Sequence, residues 1–195
     1  MGRFLGTLPT DAQGKTIPEL KVGIIDFGKP ETADEDGILN DAATSTEAAI
    51  SYPNDTVTAF LGQPDIPRGL TFTPSAAADT GNIAVEGTDI EGKPVTETVA
   101  TNGASAVNST YAFKTVTKIT FPVDDGGITW EAGWNDKLGI PYKGATKPPA
   151  LEYDDGVLQT TVGSFTVDAD TLAKNVYDPQ GTLDGESAIK LVLFL

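Results

Sequence analysis

Along most of this chain apolar and polar residues alternate with a period of two, which sends successive side chains to opposite faces of a β-strand. Residues 56–61 open the pattern, and 68–73 resume it after a break at 62–67. Residues 82–89 and 94–100 flank the compact turn Ile90-Glu91-Gly92-Lys93. That spacing predicts a hairpin. Residues 111–121 form a longer run with Tyr111, Phe113, Ile119 and Phe121 at odd positions and Val116 displaced by one. The displacement predicts a bulge or burial on both faces. Residues 128–134 follow the acidic turn Asp124-Asp125-Gly126-Gly127 and read as another strand. A break at 142–150, with Pro148-Pro149, precedes strands at 151–153, 157–167 and 187–195. The last of these ends fully apolar and is expected to be buried. Strands about ten residues apart with turn signals between them predict an all-β fold, an antiparallel β-sandwich that is Ig-like or jelly-roll-like.

The first fifty residues break this rhythm. Two apolar patches, 4–8 and 22–27, stand among polar turn formers, and 29–49 is rich in Asp, Glu, Ala and Thr. Residues 41–50 predict one short helix. The expected organisation is an extended N-terminal arm or small subdomain over 1–50 and a sandwich domain over 51–195.

Composition removes whole classes of chemistry. The 195 residues contain no cysteine and no histidine. Disulfides, thiolate metal sites, cysteine nucleophiles, Ser–His hydrolases and HExxH metalloenzymes are therefore excluded. The formal net charge of −15 opposes nucleic acid and anionic membrane surfaces, both of which attract Lys and Arg. It suits a soluble particle or a partner with a basic patch. Residues 1–9 hold one Arg and no apolar core of a signal peptide, so a cytoplasmic site of synthesis is expected.

Few motifs suggest chemistry. The clusters Asp34-Glu35-Asp36, Asp124-Asp125 and Asp154-Asp155 supply carboxylates that a glycosidase or a calcium site would need. Asp beside Gly is first a turn former, however, and none has EF-hand spacing. No phosphate-binding glycine motif is present. No catalytic residue, cofactor or metal site is expected. Trp130 and Trp134, four apart, share one face of a strand. They fit a carbohydrate platform, a core or an interface; one in the core and one at an interface is expected. Arg68, one of two arginines, follows Pro67 at a strand start and is expected to pair with a carboxylate, or else to touch a neighbouring subunit.

The middle of the chain also carries a recurrent set of strand-and-turn signatures. They are Ile66-Pro67-Arg68-Gly69-Leu70-Thr71-Phe72, Val85-Glu86-Gly87-Thr88-Asp89-Ile90-Glu91-Gly92, Val95-Thr96-Glu97-Thr98-Val99 and Ala112-Phe113-Lys114-Thr115-Val116-Thr117-Lys118-Ile119. Over about residues 56–140 this pattern resembles structural proteins of tailed bacteriophages, notably head-decoration or auxiliary capsid proteins. The resemblance implies a non-enzymatic virion protein, a homotrimer bound to the major capsid protein on the outer capsid surface. A tail or head-fibre module, or a carbohydrate-binding adhesin module, is the alternative. The expected contacts are Phe4, Leu5, Leu8, Val22, Ile24, Ile25 and Phe27, with Arg68, Trp130 and Trp134 as further candidates. Removing residues 1–27 is expected to abolish capsid binding.

Overall fold

The computed structural model describes residues 21–195. Its strands are β1 Val22–Gly28, β2 Asp34–Ala43, β3 Ile50–Tyr52, β4 Arg68–Pro74, β5 Asn82–Thr88, β6 Pro94–Ala100, β7 Val107–Phe113 and β8 Thr115–Phe121. Then follow β9 Thr129–Gly139, β10 Ala150–Asp154, β11 Val157–Leu158, β12 Ser164–Thr166, a 3-10 turn at Leu172–Lys174, β13 Val176–Asp178 and β14 Ile189–Phe194. They form three antiparallel sheets, ordered β1-β14-β10-β11, β12-β13-β9-β4-β7 with β2 also on β9, and β3-β8-β5-β6. The predicted all-β, sandwich-like architecture is what the chain adopts.

The middle sheet is shared by two cores. Over the first half of β9 it packs against the β3-β8-β5-β6 sheet, where Leu70, Phe72, Trp130 and Trp134 meet Ile83, Val85, Ile119 and Phe121. The Phe121 and Trp130 rings stack at 5.6 Å. Its other end packs against the inner face of the β1-β14-β10-β11 sheet through Ile140, Phe165, Tyr177, Leu191 and Leu193. Leu138, Leu183 and Ile189, with Phe27 and Ile66, form a third, smaller cluster that shares Phe27 with the second core.

The predicted strand at 111–121 is two strands in different sheets, divided at Lys114. The Lys114 N–H donates to Thr88 O at 2.8 Å, which fixes the corner. The displaced Val116 marks a real irregularity, since the β5–β8 register shifts between its partner Gly87 and Glu86. The hairpin of β5 and β6 is regular from Asn82↔Ala100 to Thr88↔Pro94. Asp89 Oδ1 accepts the N–H groups of Glu91 and Lys93 within its turn.

Elsewhere local side-chain bonds override the expected elements. No helix forms at 41–50. Ala42 and Ala43 pair with Trp130 and Thr129, and the Ser45 hydroxyl accepts the N–H groups of Glu47 and Ala48. Residues 56–61 are not a strand, because Asn54 Oδ1 takes the N–H groups of Thr56 and Val57 and turns the chain. The run at 157–167 is cut into β11 and β12. The described part of the first fifty residues contributes to all three sheets, through β1, β2 and the start of β3. From Val22 onward it is woven into the sandwich.

One crossing is tighter than any side chain permits. β2 passes over β9 so closely that a Cβ at Gly133 would overlap the backbone of Asp34 and Glu35. Gly181 has nothing within 4 Å of its would-be Cβ. Gly133→Ala is expected to cost about 1–3 kcal/mol, the usual cost of overpacking, or more because backbone must move. Thermal unfolding checks this: the melting temperature drops by several degrees for Gly133→Ala and stays within error for Gly181→Ala.

Candidate interaction surface

The sheet β1-β14-β10 has two different faces, and register decides which residues lie on each. Val22 opposes Phe194, Ile24 opposes Val192, and Val192 opposes Leu151. Asp26 opposes Lys190, which opposes Tyr153. Directly opposed residues share a face, so these rows line the outer side. The alternate rows, with Ile25, Leu191 and Leu193, face the second core. The outer rows are apolar yet not covered among the described residues. Ile24 is 70% exposed and Val22 51%; Val192, Phe194, Leu151 and Tyr153 are half-buried. The Lys190–Asp26 ion pair at 3.0 Å closes the end of the patch and leaves it without net charge.

The expected contact residues divide across this sheet. Val22 and Ile24 are on the open face, while Ile25 and Phe27 turn inward against the second core. Phe4, Leu5 and Leu8 lie outside the described residues. Leu151, Tyr153, Val192 and Phe194 complete the face and are not among the expected contacts. The signal for them was the alternation in 187–195, which has an outward as well as an inward set. β14 is central in its sheet but buried on one side only, with Lys190 exposed.

Trp130 and Trp134 both belong to the main core, 1% and 6% exposed. The split between core and interface is therefore corrected. β9 lies between β4 and β2 at this level, and the other sheet covers its inner face, so both rings are enclosed. The Trp134 indole donates to Thr32 O at 3.1 Å. Neither ring offers a surface on which a sugar can stack.

Arg68 is also internal, at 0% exposure. Its Nε donates to Asn135 O and its Nη1 to Glu31 O, each at 2.9 Å. Nη1 also pairs with Asp65 Oδ1 at 3.1 Å, and Nη2 lies 3.8 Å from Asp136 Oδ1. Burial pulls the guanidinium below its ordinary value, against the opposing charges of Asp65 and Asp136. Burial likewise pushes Asp136 up, and Arg68 holds it back. Of its two expected roles, the intramolecular ion pair is the one it fills; enclosed on all sides, it has no surface with which to meet a neighbour.

The acidic clusters act mainly on backbone. Buried Asp124 takes the N–H groups of Asp79 and Gly126. Asp155 Oδ1 takes Ala188 N–H. Glu152 is enclosed, and its carboxylate accepts the Tyr177 hydroxyl at 2.5 Å, Gly163 N–H at 2.9 Å and Gln180 N–H at 3.2 Å. Burial, and then this carboxylate, raise the Tyr177 phenol far above its usual range. The dyad ties β10 to β13 and the loops beside them. The cavity next to Glu152 is about 130 Å³ and is lined by Asp154, Gln159, Asp184 and Ser187 among others.

Against protein-family models, curated proteins and solved structures, the chain gives no match.

Two outcomes follow from these charges. Replacing Arg68 with Ala strands Asp136 and empties a buried site. Breaking a buried pair in this way costs about 3–5 kcal/mol, to be read in urea unfolding. Arg68→Lys recovers only part of the loss, since an ammonium cannot reach Asn135 O, Glu31 O and both carboxylates at once. Asp168, held low by the N–H groups of Thr171 and Asp170, sits below 3.8 when folded. Its contribution is fully present above that unfolded value and is lost as pH falls through the folded one. The stability gap between wild type and Asp168→Ala therefore narrows as unfolding is measured from pH 7 to below 3.8.

Proposed function

We propose that this protein is a structural component of a tailed-phage particle that attaches to the outer surface of the capsid and cements it through protein–protein contacts. The observation that carries the binding role is the apolar face of the β1-β14-β10 sheet, left open among the described residues and neutral in a chain of formal net charge −15. A contiguous exposed apolar patch marks an interaction site more reliably than scattered apolar residues do. The virion setting rests on the strand-and-turn resemblance over about residues 56–140.

The physics of such an attachment is simple. A standard interface buries about 1,600 Å² in total, of which this face supplies an apolar centre. Many copies on one shell add avidity, so each contact need not be strong. The acidic remainder of the surface keeps the protein soluble and favours a basic partner. No reaction is needed, and the carboxylates described above already serve the fold.

Point changes on the face test this better than deletion. Removing residues 1–27 would strip β1 from β14 and expose the second core. Leu151→Lys and Val192→Lys place charge in the middle of the outer rows while leaving the inner rows intact. Each is expected to lower co-sedimentation with heads of the cognate phage at least ten-fold, with near-UV circular dichroism unchanged. Full occupancy of heads by both folded variants would overturn the reading.

A further inference from the structure

We infer that β1 is a dimerisation edge, at which a second copy of this chain pairs antiparallel with the first and joins their two sheets into one. This goes beyond the capsid reading and does not depend on it. The argument starts from which sheet edges are free. Among the described residues, the strands of seven residues or more with an open side are β1, β2, β6 and β7. β6 and β7 shield one another: the Glu97 carboxylate on β6 takes the Thr110 N–H and hydroxyl, both at 2.6 Å, and the Tyr111 N–H at 3.1 Å. β2 is broken by two register shifts and carries Asp34, Glu35, Asp36 and Asp41. Bulges and charges are how natural sheets block edge pairing.

β1 has one register shift, between Asp26 and Gly28 at its far end, and is regular from Val22 to Asp26. Between Val22 and Phe27 it holds no proline and no lysine, and its single charge, Asp26, is neutralised by Lys190. The Leu195 N–H donates to Lys21 O, which sets the parity of the ladder. Lys21, Gly23 and Ile25 bond β14, so Val22, Ile24 and Asp26 turn their N–H and C=O groups the other way. Among the described residues those outward backbone groups have no partner. Beside this edge lies an open apolar groove of about 330 Å³, lined by Ile25, Phe27, Ile66, Pro67, Ile90 and Pro141 among others.

A second β1 fits this edge for two reasons. First, the pairing is self-complementary. With a two-fold axis beside Ile25, Ile24 of each copy exchanges N–H and C=O groups with Asp26 of the other. The two Ile25 side chains then meet over the groove. Second, copies of a chain with net charge −15 repel unless they meet where charge is absent, and this edge is such a place. The contact is isologous and closes at two copies. Closing at two copies through one edge, it is an alternative to the expected trimer; the opposite edge of this sheet, β11, is only two residues long.

Proline at Ile24 separates this from every rival. The Ile24 N–H faces away from β14, so its loss removes no bond within the chain, and proline is tolerated on edge strands at such positions. Full-length wild type is expected at twice the 20.3 kDa chain mass by light scattering at micromolar concentration, and Ile24→Pro at once that mass. Ile24→Asp, which needs no change to the ladder of β1 with β14 and sets a like charge directly opposite Asp26 of the other copy, gives the same shift and guards against a folding defect in the proline variant. A wild-type monomer or trimer, or folded variants that remain dimeric, would overturn the inference. Leu151→Lys and Val192→Lys stay dimeric, so loss of head binding and loss of dimerisation are read on different variants.

Discussion

Where the two cores meet, the chain places a buried positive charge. Between Trp134 and Leu138, β9 leaves the ladder with β4, so that three residues of one strand face Gly69 of the other. This wide bulge turns the carbonyl of Asn135 and the carboxylate of Asp136 toward the same point. Arg68 fills that point, and its other bonds reach the segments at Glu31 and Asp65. A guanidinium suits the task because it presents several donors in a fixed plane and stays charged. An apolar side chain would leave acceptors on three segments, at Glu31, Asp65 and Asn135–Asp136, without this partner, which is costly where they are shielded from water. The second half of β9, and with it β13 and the smaller sheet, takes its position from this anchor.

The same reasoning explains how so acidic a chain remains compact. With 28 Asp and Glu against 13 Lys and Arg, ion pairs cannot engage most of the carboxylates. Many accept backbone N–H groups instead, as Asp89, Asp124, Asp168 and Asp184 do in their turns. A carboxylate capping two amides organises a loop without help from a cation. Glycine and proline shape the connections, and the acids hold them. Apolar surface is then left over on one sheet face, where no other described residue packs on it.

Much of the fold was legible because strand periodicity is local. β4, β5, β6 and β14 follow from alternation alone, and the β5–β6 turn from its glycine. The corner at Lys114 was visible only as a displaced Val116, since whether a strand bulges or changes sheets is decided by distant partners such as Thr88. Asn54 and Ser45 overrode propensity through bonds of two or three residues' reach, too short to register in an apolar pattern. The surface was half legible. Val22 and Ile24 stood out as an apolar patch, but Leu151 and Val192 join them through pairing across the length of the chain, and no window on the sequence contains both. The tryptophans and Arg68 drew notice by their chemistry, and chemistry alone does not tell inside from outside.

The pairing of β1 with β14 also has a kinetic side. Val22 must find Phe194, almost the full described length away, before the smaller sheet exists. Contacts of such sequence separation form late, because loop closure is unfavourable until much of the chain is already ordered. The main core, built largely from β2 to β9, needs neither strand. During synthesis β1 therefore emerges ahead of the main-core strands and waits for β14, an apolar segment without its partner while the main core condenses. The sheet that carries the open face is the last to be assembled, so its outer rows are brought together as one surface only once the main core is folded.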